Sequence, residues 1–224
     1  MCTPVREITL KSYEEINLAQ EVSENDPFTL ERYQQFFHYF PSNAQAVLDV
    51  GCNTGRGGKV LKELQQDLEI VGLDCVENRL ARISRDVYCR TICSYSTNIA
   101  SEDSAFDVVV AGEFVEHLFP QDVTQTLCEF YRILRPGGRL LLTTPNPNYL
   151  LLLLTGRSVL GGAHVSQHYP KELKKQLEET GFSNLKILGS GKVSRYLGEK
   201  FPLLFAYGSY LVIADKLSLK RSST

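Results

Sequence analysis

Apolar residues along this chain fall into two alternating rhythms. Short compact runs, Val47 to Val50, Ile70 to Asp74, Phe106 to Gly112 and Arg139 to Thr144, have the length and branched character of buried parallel strands. Between them the apolar positions recur every three or four residues: Val60, Leu61, Leu64 and Leu68, then Leu80, Ile83 and Val87, then Val123, Leu127, Phe130 and Leu134. Strand followed by helix, repeated, predicts an α/β fold with a mostly parallel sheet. Asp122 and Gln125 are spaced as a capping box opening the third helix, and Pro136-Gly137-Gly138 is expected to end it. A last helix should run from Pro170, with Leu173 and Leu177 inward, to Gly181. Strands at Leu185 to Gly189 and Ser209 to Leu217 would complete the sheet.

Two regions break the alternation. Residues 1–45 form an N-terminal helical cap, with one helix expected around Tyr13 to Val22 and an aromatic-rich one over Thr29 to Phe40. The aromatic stripe is read as packing on the sheet edge in preference to lining a cofactor lid, because such stripes usually face a core. Residues 145–169 link a strand to a helix where about 2 to 6 residues usually suffice. In an open α/β sheet, ligands bind outside the carboxyl ends of the strands, so this leucine-rich insertion, with its Gly161-Gly162 pair, is expected to act as a substrate lid. Residues 46–144 are then the cofactor-binding core and 170–217 complete the sheet, giving a single domain over 1–224.

Composition narrows the function. The chain has 224 residues, a formal net charge of -2 and one short basic run, Lys216 to Arg221, so no wide electrostatic footprint for nucleic acid is visible. Cys2, Cys52, Cys75, Cys89, Cys93 and Cys128 form no C-x-x-C pair, which points to reduced thiols in a cytoplasmic protein. The N-terminus has no apolar signal core, and the run Leu150 to Leu154 is far short of the roughly 20 residues of a membrane span.

The chemistry concentrates in VLDVGCNTG, Val47 to Gly55. Gly51 and Gly55 permit a tight turn whose N–H groups face an anionic group, and Asp74 ends a second strand where its carboxylate can accept both hydroxyls of a ribose. The glycine spacing does not fit the G-x-G-x-x-G of dinucleotide sites. Together with FDVVVAGEFVEHL and LRPGGRLLLTTPN, these motifs resemble the class I S-adenosylmethionine-dependent methyltransferases from Val47 onward. The resemblance implies a Rossmann-like, seven-stranded, mostly parallel sheet flanked by helices, with the last strand antiparallel, and S-adenosyl-L-methionine as cofactor. It carries Asp49, Gly51 and Gly55 to the methionine end and Asp74 to the ribose. Asn53 stands where many relatives have glycine and adds an amide beside the cofactor. Arg56 is a candidate for the methionine carboxylate, and the adenine contact stays open among Ser94, Tyr95 and Asn98.

Glu113, Glu116 and His117, spaced E-x-x-E-H after the fourth strand, are the catalytic candidates. The spacing resembles ubiquinone-pathway O-methyltransferases and small-RNA 2′-O-methyltransferases, in which carboxylates and histidines hold a divalent cation. Here the cation, with Glu113, Glu116, His117 and His164 or His168 as candidate ligands, ranks below His117 as base or hydrogen bonder, and a purely structural role is the alternative. The expected activity is methyl transfer to a small-molecule acceptor, by preference to oxygen on a sugar, phenol or related metabolite. RNA 2′-O-methylation and a noncatalytic partner subunit are the alternatives. The oligomeric state is left open.

Overall fold

The computed structural model describes residues 10–18 and 27–218. The N-terminal helices α1 (Leu10–Leu18) and α2 (Pro27–His38) precede β1 (Ala46–Val50), α3 (Arg56–Leu64), β2 (Glu69–Asp74), α4 (Glu77–Leu80), β3 (Arg90–Cys93), β4 (Phe106–Gly112) and α5 (Pro120–Ile133). They are followed by β5 (Leu134–Pro145), α6 (Leu150–Thr155), α7 (Pro170–Thr180), β6 (Ser183–Ser190), α8 (Ser194–Leu197) and β7 (Ser209–Asp215). The seven strands make one sheet in the order β3-β2-β1-β4-β5-β7-β6. The first five are parallel, and β7 runs antiparallel between β5 and β6. The Rossmann-like expectation is met, with the last strand inserted beside β5.

The strands are apolar on both faces because both faces are covered. Leu48, Val50, Val109 and Ala111 face one core, closed by Leu127, Phe130 and Ile133 of α5 and Leu173 and Leu177 of α7. Val47, Val108 and Val110 face the other, closed by Val60 and Leu61 of α3 and Phe36 of α2. Neighbouring residues in one strand therefore feed opposite cores, as the two-residue strand period requires. The chain order reverses between β1 and β4, so a crevice opens at their carboxyl ends.

Several boundaries differ from the sequence expectation. Helix α5 begins at Pro120, with Phe119 in the capping position and no side-chain cap. Asp122 instead accepts a 2.6 Å hydrogen bond from Tyr13, so its carboxylate is spent on α1 and the expected capping box is absent. Helix α5 ends at Ile133, before Pro136-Gly137-Gly138, which lies within β5. After Asp74 the helix is a single turn, with Ile83 and Val87 on the irregular stretch that follows, where they still pack against the core. Helix α7 runs from Pro170 and hands over to Gly181 in a left-handed conformation, as expected, but it is not the last helix, because the single turn α8 follows β6. Residues 19–22 of the first expected helix, Cys2 and residues 219–221 of the basic run lie outside the described residues. The five described cysteines are free thiols. Among the described residues, no helix is long and apolar enough to cross a membrane.

Candidate functional site

A cavity of about 410 Å³ lies over the β1–β4 switch point, lined by Gly51, Asn53, Gly57 and Asp74, by Glu113 and His117, and by Tyr13, Arg32 and Tyr33 of the N-terminal helices. Its floor is the turn after β1. Gly51 and Asn53 both take left-handed backbone, with φ of 69° and 51°, and asparagine is among the few non-glycine residues that enter this region readily. That is why Asn53 can stand where a glycine was expected. Gly55 at φ 88° then turns the chain into α3.

Asp74 holds this turn from the neighbouring strand. One carboxylate oxygen accepts the Asn53 N–H at 2.9 Å and the other accepts the Val76 N–H at 2.9 Å. Both oxygens keep a further lone pair, so Asp74 braces the turn and faces the cavity at once. Asp49 does something different from the expectation of a direct cofactor ligand. It is fully buried beneath the turn and accepts hydrogen bonds from Tyr33 at 2.6 Å and Tyr88 at 2.5 Å. Burial raises its pKa to about 6 against the pull of the two phenols. Gly51, Asn53 and Asp74 line the cavity, while Asp49 and Gly55 stand behind it.

The cavity wall carries polar atoms without partners. Arg56 Nη1, Asn53 Oδ1 and Tyr95 Oη are buried with no hydrogen bond, and all three residues line the cavity. Such groups are costly unless something satisfies them, so they describe a ligand with acceptors and donors of its own. Of the three residues left open for adenine, Ser94 and Tyr95 border the cavity and Asn98 does not. The aromatic helix α2 packs on the sheet as expected, with Phe36 and Tyr33 in the core, and Tyr33 also borders the cavity. Gly57 makes this close approach work, since a Cβ there would fall 1.9 Å from the Tyr33 ring.

At the far end, β4 delivers Glu113 in left-handed backbone at φ 50°, its N–H fixed by Thr143, and a 3-10 turn over Val115–His117 follows. Glu113 lies 3.8 Å from Arg32 as an ion pair, and its Oε1 is buried without a hydrogen bond. Glu116 is fully buried; one oxygen accepts a 3.0 Å bond from Thr144 and Oε1 has none. Burial, with the Glu113 carboxylate adding to it, holds the Glu116 carboxyl well above the usual carboxylate range. His117 Nδ1 lies 3.0 Å from the Ala163 carbonyl, which fixes Nδ1 as the donor and leaves Nε2 free. Burial and the neighbouring His164 lower its pKa to about 4, so it is neutral at physiological pH.

The insertion supplies a partner, but not both histidines. His164 meets His117 edge to face at 5.0 Å, and ligand atoms of Glu116, His117 and His164 lie within 4.8 Å of one another. His168 is turned away and buried, its Nε2 at 2.9 Å from Ser166 Oγ and 3.1 Å from the Val115 carbonyl. Glu113 also lies outside that cluster. Two imidazoles and an unspent Glu116 carboxyl oxygen fit a divalent ion by their chemistry. The insertion is thus stitched down over 163–166, where the Val165 and Ser166 N–H groups both bond the Glu116 carbonyl, while α6 has no buried residue. Tyr33, Tyr88 and Arg32 are the site residues that motif spacing missed; the aromatic run Thr29 to Phe40 was the available signal for two of them.

Comparison with known proteins agrees with this geometry. Residues 48–142 match the family described as Methyltransferase domain. A probable S-adenosylmethionine-dependent methyltransferase of Mycolicibacterium smegmatis is 33% identical over 147 residues, 64% of this chain and 54% of that protein. The mitochondrial ubiquinone biosynthesis O-methyltransferase of Rattus norvegicus is 31% identical over 170 residues, covering 66% of this chain and 47% of the relative. The chain spans about half the length of the curated relatives it matches. In fold, it is similar to the SAM-dependent methyltransferase from Archaeoglobus fulgidus, with a TM-score of 0.66 at 24% identity over 84% of this chain and 92% of that one. Residues 48–142 carry a methyltransferase domain, and the strand order and the glycine turn are those that the resemblance to class I S-adenosylmethionine-dependent methyltransferases implies.

Proposed function

We propose that this protein transfers the methyl group of S-adenosyl-L-methionine to a hydroxyl oxygen of a small-molecule acceptor such as a phenol, sugar or related metabolite. The observation that carries the reading is the cavity over β1 and β4, in which Asn53 and Arg56 present unpartnered polar atoms and Asp74 a carboxylate at one end, and Glu113 a carboxylate at the other. Asp74 would accept the ribose hydroxyls, Arg56 would pair with the methionine carboxylate, and the Gly51–Gly55 turn would face the methionine end, with Asp49 supporting it from below. A cofactor complex is known for a fold neighbour, a phosphoethanolamine N-methyltransferase of Haemonchus contortus, with a TM-score of 0.63 and 16% identity.

The sulfonium methyl is already electrophilic, so the transfer is one displacement. The S–CH3 bond breaks as the O–CH3 bond forms, sulfur keeps the bonding pair, and the hydroxyl proton passes to a base. Glu113 is the base in this reading, since its Oε1 is held 3.8 Å from Arg32 Nε and takes no hydrogen bond, and a placed base contributes about 10² to 10⁴ in rate. Glu116, His117 and His164 would hold a divalent ion, which when bound acts as a Lewis acid toward the acceptor oxygen. His117, neutral with a free Nε2, otherwise accepts a hydrogen bond at the same end.

A small acceptor suits the net charge of -2, and free thiols suit a reducing compartment such as the cytoplasm. The test is incubation with methyl-labelled cofactor and a panel of phenols, sugars and amines, with products identified by mass spectrometry. Label appearing as an ether supports the reading. Label on nitrogen alone, or none with any acceptor while cofactor binds, would refute it.

A further inference from the structure

A second cavity, of about 760 Å³, adjoins the first and shares Arg32 and Glu113 with it. It lies between α2, the start of α6 and the connection from β6 to β7, on the carboxyl edge of the sheet. Its apolar lining comes from Phe28, Tyr149, Leu152 and Val193.

Its charges are already answered. Glu31 pairs with Arg195 at 2.5 Å, and Glu113 faces Arg32. Glu199 accepts a 2.8 Å bond from Gln35 and another from Tyr39, and Ser190 donates to Gln35 at 2.8 Å. The Lys192 ammonium lies 5.7 Å from the centre of the Phe28 ring. Among the described residues Lys192 and Glu199 are not ion-paired but carry opposite charges, so with Arg195 counted the three carboxylates are matched by three cations and no net charge is left to draw in an ionic ligand. Glu113 Oε1, 3.8 Å from Arg32 Nε, is the lining atom that has no hydrogen bond, and it stands at the partition from the cofactor cavity. An acceptor-only carboxylate asks for a donor, and the adjacent Arg32 guanidinium disfavours a cationic one.

Resting on the methyltransferase reading above, we infer that this second cavity is the acceptor site, and that it selects an uncharged, largely apolar molecule leading with a hydroxyl group. The apolar body lies against Phe28, Tyr149, Leu152 and Val193, and the hydroxyl donates to Glu113 Oε1. This orientation presents the acceptor oxygen at the wall shared with the cofactor cavity. It also separates two tasks, since the lining away from that wall makes no contribution to the cofactor cavity.

Gly208 offers the test. It borders the second cavity, its backbone lies outside the left-handed region, and a Cβ there would meet the Tyr149 ring at an ordinary 3.7 Å. Gly208→Phe and, independently, Val193→Phe should fill the cavity without touching the cofactor turn. The probes are 2-naphthol, the cationic 1-naphthylmethylammonium and the anionic 2-naphthoate, titrated by fluorescence with and without S-adenosylhomocysteine. The chain has no tryptophan, so naphthyl emission is read cleanly. The expected result is saturable naphthol binding, about tenfold tighter than either ion and weakened at least about tenfold by each variant, with S-adenosylhomocysteine affinity unchanged in calorimetry. Absence of saturable naphthol binding, preference for either ion, or indifference to both variants would overturn the inference. Failure of S-adenosylhomocysteine to bind strikes the cofactor reading instead, and the naphthol titration without it still decides the selectivity of the cavity.

Discussion

The phenol of Tyr33, on the N-terminal helix α2, donates a 2.6 Å hydrogen bond to the buried carboxylate of Asp49 at the centre of the sheet. Helix and turn are thereby locked to the same anion, and the cost of burying that anion shows in its pKa of about 6.

The first prediction concerns pH. Asp49 rises from its ordinary 3.8 to about 6 in the folded protein, so the folded state binds this proton more tightly than the unfolded chain. Its contribution to stability is greatest below pH 4 and falls as pH rises toward 6, by about 3 kcal/mol over the whole interval, then stays flat. Urea denaturation between pH 4 and 7 should show that slope, and Asp49→Asn should flatten it. An unchanged slope in the variant would assign the pH dependence to other groups.

Asp74→Ala should weaken S-adenosylmethionine binding by roughly 1.5 to 3 kcal/mol, the range for a hydrogen bond to a charged group. Because Asp74 also holds the Asn53 and Val76 N–H groups, part of the loss will appear as a looser turn. Calorimetry measures the affinity and amide exchange at Asn53 the loosening; unaltered affinity would remove Asp74 from the ribose.

Glu113→Gln keeps the shape of the side chain and removes its basicity. Single-turnover methyl transfer to any acceptor found should slow by about 10² to 10⁴ while cofactor affinity holds. Loss of cofactor binding in equal measure would mean that Glu113 supports the pocket and does not take the proton.

The cluster of Glu116, His117 and His164 is expected to bind Mn²⁺ or Zn²⁺, because a cation would offset the burial that raises the Glu116 pKa and would find two imidazoles beside it. Thermal denaturation with metal and with chelator checks this. A Tm rise that disappears in His164→Ala marks the cluster, whereas equal shifts in both proteins, or none, leave it as a hydrogen-bonded wall.

Replacing residues 150–160 by a short glycine-serine linker removes α6, whose Leu152 borders the second cavity, and spares the stitched segment 163–166. Acceptor turnover should fall much further than cofactor affinity, in keeping with a lid hinged at Gly161 and Gly162, both in left-handed backbone with open space around them. Parallel losses in turnover and affinity would make the segment structural.

The parallel sheet and the cofactor turn were legible because each rests on local chemistry: branched residues in short runs, glycine where φ is positive, an acid at the next strand tip. Asp122 shows where locality fails. Its spacing to Gln125 describes a capping box, yet Tyr13, 109 residues away in sequence, takes its carboxylate. His164 and His168 show the same limit, being equally placed on paper until the chain between them turns one toward His117 and buries the other against Val115. Asp49 was recognised as part of the motif, but its two phenol partners lie 16 residues before and 39 residues after it, beyond any spacing rule.

Because β7 runs against its neighbours, the connection from β6 returns to the same edge of the sheet that carries the cofactor loops. Insertions there, or in the segment after β5, alter the chamber beyond Glu113 and leave the β1 turn and the tip of β2 untouched. If that chamber takes the acceptor, changes in these C-terminal connections can alter acceptor choice while the turn after β1 is kept. Two lineages sharing this fold need differ only in those hairpins to modify unrelated molecules.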